Sequence, residues 1–399
     1  MPQVKVGVIH THYQQPGGED QVCAAEVALL RERGHEVAEL TFDNRNLEDL
    51  PPWRQAGLTL WNQEAYQRVR EAIREHRPDI LHVHNTFPLA SPAVIHAAKA
   101  EGVPVVMTLH NYRLLCVNAL FFRQGRVCED CLGRLPWRGV LHGCYRDTRP
   151  ASAVVAGMLT LHRALSTWNL VDRFIALTAF ARGRFLAAGF PPEKVAVKPN
   201  FVHPDPGPGE GRGGYALFVG RLSPEKGVFT LLEAWRRLGG RIPLKVVGDG
   251  PLMAEVSRRA RGIPGVEILG RKGTAEVYAL MGEASFLVFP SECYEGFPMT
   301  IAEAFACGLP VIASRLGAMA EIVEEGRTGL LFEPGDAEDL AAKMEWAWAH
   351  PRELAEMGRE ARREYEEKYT AERNYERLMA IYHRVLGSVA LPVTAGAKA

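Results

Sequence analysis

The sequence carries no excess of charge of either sign: Lys and Arg total 47, and so do Asp and Glu. A dominant nucleic-acid surface is therefore not expected, because such surfaces run strongly basic. No apolar stretch approaches the roughly 20 residues that cross a bilayer. The first apolar run, Val4–Ile9, is short, holds a single Lys and leads into a polar loop with no small-residue cleavage site. A secretory leader is not expected from it. Cysteine is sparse, and the seven in 399 residues are an odd number, which argues against a disulfide framework. The expectation is a soluble, cytoplasmic protein with at most peripheral contact with a membrane face.

What is present is length enough for two cores and two separate beginnings of an alternating strand–helix pattern. The first starts with the strand Val4–Ile9, a turn through Gly17 and Gly18, a helix over Gln21–Arg33 and a strand over Val37–Phe42. Asp79–Val83 and Val103–Leu109 continue it as apolar strands. Pro204–Gly214, rich in Pro and Gly, cannot hold regular structure and reads as a linker. After it come the strand Tyr215–Gly220, the helix Val228–Leu238 and the short strands Leu244–Val247, Val266–Leu269, Phe286–Phe289 and Pro310–Ala313. Strands alternating with helices predict an α/β fold with a doubly wound parallel sheet, here twice. The expected organisation is an N-terminal Rossmann-like domain over 1–203 with a Cys-rich insert at 114–147, and a second over 204–368. A helix within 369–388 is expected to pack back on the first, and 389–399 to fray. Such sheets bind ligands at the carboxyl ends of their strands, so two facing sheets create a cleft.

The segment Phe289–Gly308 is the most informative. A strand ends at Phe289, a polar loop holding Glu295 and Gly296 follows, and Pro298 suits the opening of a helix. Free N–H groups at that helix start suit a phosphate or a polarised sugar oxygen. Glu303 lies one turn in, among Ile301, Ala302, Ala304 and Phe305. A carboxylate there is costly unless donors such as ribose hydroxyls meet it; the alternative is a solvated early-turn acid. A second loop, Gly220-Arg221-Leu222 through Lys226-Gly227, follows the first strand of the second half. Arg grips phosphate bidentately and Lys adds a point charge; two solvated loop cations are the alternative.

These motifs, with Glu295 and Glu303 separated by seven residues, resemble the retaining glycosyltransferases of the GT-B fold, more narrowly the large group-one (family four) transferases. The resemblance covers essentially the whole chain. It implies that Arg221 and Lys226 bind the donor diphosphate and stabilise the departing nucleoside diphosphate. It implies that Glu295 contacts the donor sugar beside the backbone of Gly296, Phe297 and Pro298, and that Glu303 holds the ribose. Gly17 and Gly18 resemble the glycine loop that lets backbone approach the phosphates and acceptor. His110 matches the histidine beside the donor sugar, and Gly270 and Arg271 sit where the family reads the base. Asn200 matches a hinge motif that usually reads Asn-Gly-Val, from which Phe201 departs.

No two aspartates stand two apart, so the Asp-X-Asp pair that holds a metal in many glycosyltransferases is missing. Charge stabilisation then falls to Arg221, Lys226 and the helix start at Pro298. The resemblance implies transfer with retention from a UDP-, GDP- or ADP-sugar to a glycan, lipid-linked or polysaccharide-precursor acceptor, with no cofactor in the reaction. The competing readings are a GT-B epimerase or phosphorylase and a non-catalytic nucleotide-sugar-binding module.

Cys116, Cys128, Cys131 and Cys144 fall within one loop-rich stretch, and Cys128 and Cys131 have zinc-knuckle spacing. One close pair plus two outlying cysteines fits a structural tetrahedral zinc, with His142 an alternative ligand; reduced thiols or a redox pair are the other reading. Cys23, Cys293 and Cys307 read as small buried residues. His82 and His84 alternate on a strand and are expected to face opposite sides, His84 toward the acceptor cleft and His82 into the core. Ala151–Trp168, flanked by Arg146 and Arg149, either packs on the core, which is favoured, or touches a membrane surface.

Overall fold

The structure, a computed structural model, describes residues 3–14 and 17–389. Two six-stranded sheets form its core. The first contains β1 (Lys5–His12), β2 (Glu36–Asp43), β3 (Ile80–Val83) and β4 (Val105–Leu109). A small antiparallel pair, β5 (Phe122–Arg123) and β6 (Arg126–Val127), stands apart, and β7 (Arg173–Ala176) and β8 (Val195–Val197) complete the sheet. Its order is β2-β1-β3-β4-β7-β8, with every ladder parallel. The second sheet contains β9 (Ala216–Val219), β10 (Leu244–Val247), β11 (Val266–Gly270), β12 (Phe286–Phe289), β13 (Val311–Ser314) and β14 (Gly329–Phe332). Its order, β11-β10-β9-β12-β13-β14, repeats the first in form and is again all parallel. These are two Rossmann-like sheets of the GT-B arrangement.

The strands read as continuous apolar runs because helices cover both faces of each sheet. All four residues of β3, β12, β13 and β14 are buried. The helix Val228–Leu238 buries Val228, Leu231, Leu232, Trp235 and Leu238, the stripe that a 3.6-residue period requires. Its bounds match those read from the sequence. The strands β5, β6, β7, β8 and β14 were not read from the sequence. The helix Pro298 was expected to open starts at Met299, with Pro298 as its cap.

The irregular segment Pro204–Gly214 lies against the second half, where Gly209, Gly211 and Gly213 N–H groups donate to the carbonyls of Cys307, Gly282 and Glu283. The last helix, Ala371–Val389, returns to the first sheet. Leu378, Met379, Tyr382 and Val385 pack there with Val4, Val6, Val8, Ile80 and Val106. The tail expected to fray lies, from residue 390, outside the described residues.

Candidate functional site

Both sheets present the carboxyl ends of their strands to one cleft of about 1030 Å³. From the first half Gly17, Gly18, His110 and Asn200 line it; from the second Arg221, Lys226, Arg271, Glu295, Phe297 and Pro298 do. Of the residues singled out in the sequence, ten therefore meet in one crevice. Gly270, Gly296 and Glu303, each half-buried, are not among its lining residues.

Backbone packing places the two cations. Gly227 has φ +66°, and a Cβ there would lie 1.8 Å from the Pro290 carbonyl oxygen, so the Arg221–Gly227 loop sits directly on the strand end that leads to Glu295. Lys226 Nζ donates to Glu295 Oε1 at 2.6 Å, and Ser291 Oγ donates to the same oxygen at 2.6 Å. Burial lowers the Lys226 ammonium, but the Glu295 carboxylate outweighs it and leaves the lysine charged more firmly than usual. The helix Met299–Ala306 points its start into the same crevice, where its first N–H groups have no partner within the helix. Two cations and a helix tip thus converge, an anion site suited to a diphosphate.

The two halves touch at this point. A Cβ on Gly296 would lie 2.3 Å from the His110 carbonyl oxygen, and Tyr112 Oη donates to the Glu295 carbonyl at 3.1 Å. Glu303 projects from the helix one turn past Pro298. Burial lifts its carboxyl to about 7, and among the described residues no donor reaches that carboxylate. Asn200 has its Oδ1 buried without a hydrogen-bond partner at the cleft wall.

His110 is anchored from beneath. Its Nε2 lies 2.9 Å from His84 Nδ1, and His84 Nε2 lies 3.4 Å from Glu26 Oε1. Glu26 Oε2 in turn accepts from Lys198 Nζ at 2.6 Å, which also donates to Asn374 Oδ1 of the last helix at 2.7 Å. Burial raises the Glu26 carboxyl, but Lys198 and the two histidines outweigh it and hold it well below the ordinary range. Burial holds the His110 imidazole well below its usual range, so it is neutral near pH 7. His84 Nε2 faces the Glu26 carboxylate and turns its N–H that way, so His84 Nδ1 accepts from His110 Nε2–H, which leaves His110 Nδ1 as a hydrogen-bond acceptor.

This network corrects the expectation for the strand histidines. His82 and His84 do not face opposite sides: their ring centroids are 4.3 Å apart and both approach Glu26. β3 ends at Val83, so side-chain alternation no longer governs His84. Neither Glu26 nor Lys198 was read from the sequence, since they lie 172 positions apart and only the fold pairs them. Glu19 was also missed. It lines the cleft from the first half, accepts from Tyr13 Oη at 2.7 Å and is pushed up to about 8 by burial.

Among the described residues, two groups gather three ligand atoms within 4.8 Å: His10, His12 and Asp20, and Glu26, His82 and His84. The second already holds the Lys198 ammonium. Neither contains a cysteine. Cys116, Cys128, Cys131 and Cys144 do line one small cavity together with His142, Arg123 and Arg138. No three of their sulfurs lie within 4.8 Å of one another, whereas 2.3 Å Zn–S bonds in a tetrahedron set them roughly 3.8 Å apart. Burial raises the thiols of Cys116, Cys131 and Cys144. Cys23, Cys293 and Cys307 are buried, as read from the sequence.

Comparison with known proteins agrees with this geometry. The family of glycosyl transferases group 1 matches residues 213–350, and glycosyltransferase family 4 matches residues 16–206. An uncharacterized glycosyltransferase of Methanocaldococcus jannaschii is 40% identical over 137 residues, 34% of this chain and 38% of that protein. The sulfoquinovosyl transferase of Arabidopsis thaliana is 27% identical over 369 residues, 86% of this chain and 66% of that protein. The match thus spans less than two thirds of either relative's length. The crystal structure of HepE from Anabaena in complex with UDP superposes with a TM-score of 0.69 at 18% identity, covering 95% of this chain and 99% of that one. With both halves matched in sequence and two parallel sheets facing across one cleft, the chain belongs to the group 1 glycosyltransferases of the GT-B fold.

Proposed function

We propose that the protein moves a sugar from a nucleoside diphosphate sugar, held in the cleft, to a glycan, lipid-linked or polysaccharide-precursor acceptor, with retention of configuration. The observation that carries this reading is the convergence of Arg221, Lys226 and the start of the helix Met299–Ala306 on one crevice. Cleavage of the sugar–phosphate bond sends its electron pair to the departing diphosphate, and these three groups stabilise that charge. A diphosphate drawn to Lys226 shares it with Glu295, which turns toward the donor sugar. The acceptor hydroxyl attacks the anomeric carbon on the face the diphosphate leaves, and its proton passes to the leaving phosphate oxygen, so no protein base is needed. His110 Nδ1 accepts from a donor-sugar hydroxyl, and Glu303 accepts from the ribose. UDP bound to HepE, a protein of this fold, supports a nucleotide in the cleft.

The test is a thermal-shift panel of UDP-, GDP- and ADP-sugars, read as stabilisation by mass action, followed by the substitutions Arg221→Ala and Lys226→Ala. Removing one preorganised cation is expected to cost about 3 kcal/mol of barrier, a hundredfold or more in rate. Donor affinity unchanged in the double variant would overturn the diphosphate assignment. Nucleotide release stimulated by acceptor supports transfer, whereas sugar interconversion without acceptor identifies an epimerase.

A structural zinc in the insert is a separate proposal. It rests on the four thiols that share one cavity, and it requires their sulfurs to draw together into a tetrahedral set.

A further inference from the structure

Among the described residues, eight large hydrophobic side chains are exposed, and five of them lie between residues 135 and 165: Leu135, Trp137, Leu141, Leu161 and Leu165. Chance scatter does not concentrate them so, and soluble surfaces rarely gather such groups without a partner. Trp137 is 57% exposed, an unusual position for the largest apolar side chain.

The five lie along one packed unit. The short helix Trp137–Leu141 packs on the helix Arg149–Ala164. Arg149 Nε donates to the Leu141 carbonyl at 3.2 Å, which fixes one end. Arg163 donates to the Arg134 carbonyl at 2.9 Å, which ties the residues before the short helix to the end of the long one. The long helix does bury its inner face: Val155, Ala156, Met158 and Leu159 pack with Val117, so its core role is met and the outer residues are surplus to it.

Charge selects the occupant. The whole chain is neutral, yet residues 134–165 contain five arginines and one aspartate. Arg138 reaches Asp130 at 3.5 Å; Arg134, Arg146, Arg149 and Arg163 make no ion pair among the described residues. Exposed Trp and Leu side chains interleaved with arginines along this packed unit match the headgroup boundary of an anionic bilayer, where aromatic rings sit at the interface and each cation gains from the surface potential. No helix among the described residues is long and apolar enough to cross a membrane, so contact is by surface.

We propose that the face formed by residues 134–165 docks on an anionic lipid bilayer, which would hold the cleft beside acceptors anchored in that surface. The docking is independent of what the cleft turns over, so its test stands or falls apart from the catalytic reading.

The experiment is co-sedimentation of the full chain with vesicles of phosphatidylcholine alone or with 30% phosphatidylglycerol, a composition chosen as a probe, at low and high salt. Binding is expected to the anionic vesicles only and to fall as salt rises. Arg146→Glu/Arg149→Glu is expected to weaken it at least about tenfold, and Leu135→Ser/Trp137→Ser/Leu141→Ser to weaken it at both salt levels. All are exposed positions, and unchanged melting temperatures will show that the variants fold. Failure to bind anionic vesicles, or binding by both variants as strong as that of the unaltered chain, would overturn the proposal. So would a dimer in light scattering that the Leu/Trp variant dissociates, since the face would then serve a second copy of this chain.

Discussion

Glu303 shows how a single side chain reports its unmade contacts. Its carboxyl stands at about 7 rather than the ordinary 4.5 because burial penalises the anion and no donor among the described residues offsets it. A raised acid favours the protonated form in the fold, so Glu303 stabilises the unliganded protein fully below pH 4.5 and loses that contribution as pH rises to about 7. A ribose hydroxyl donating to the carboxylate favours the anion, so nucleotide binding should release a proton. Calorimetric titration of the nucleotide is expected to show affinity rising from pH 6 to pH 8, by up to about tenfold per unit below the free pKa. Glu303→Gln should lose that dependence; an identical pH profile in wild type and variant would sink the ribose assignment. Glu303 was legible in the sequence because a carboxylate among apolar neighbours stands out. Glu26 was not, because its partner Lys198 is reached only through the fold.

Among the elements, the insert 114–147 differs most from its surroundings. It contains one two-stranded pair and little regular structure otherwise, and its cavity is lined by four thiols. A segment with so little regular structure gains from a cross-link. Metal analysis of protein purified without chelators is expected to show about one zinc per chain, and Cys128→Ser/Cys131→Ser to remove it and lower the melting temperature. Metal-free protein with four titratable thiols would discard the zinc. The cysteine spacing was visible in the sequence, whereas the sulfur separations were not, because spacing along a loop does not set distance across it.

At the scale of the molecule, the two halves meet where the chemistry is placed. Glu321 of the second half accepts from the N–H groups of Ala179 and Phe180 at 2.8 and 2.6 Å, and Tyr294 packs on Phe180 with ring centroids 4.7 Å apart. Gly296 packs against the His110 carbonyl, and a side chain there must push the halves apart. Gly296→Ala is expected to lower turnover about a hundredfold through misplacement of the reacting groups. Nucleotide affinity should change little, because Arg221, Lys226 and Glu303 share one half. Rate and affinity measured together will decide; equal losses in both would show that the nucleotide bridges the halves.

The sequence by itself determined two parallel sheets, because apolar runs alternating with amphipathic helices have few other ways to bury both faces. It also marked Arg221, Lys226, Glu295 and Glu303, since charged residues at strand ends depart from the local pattern. Tertiary structure alone decided which of them share a crevice, that Lys226 spends its charge on Glu295, and that a buried chain of contacts runs from Asn374 to His110. These are distances between residues far apart in the chain. Periodicity is local, while such distances follow from how the sheets and the last helix pack.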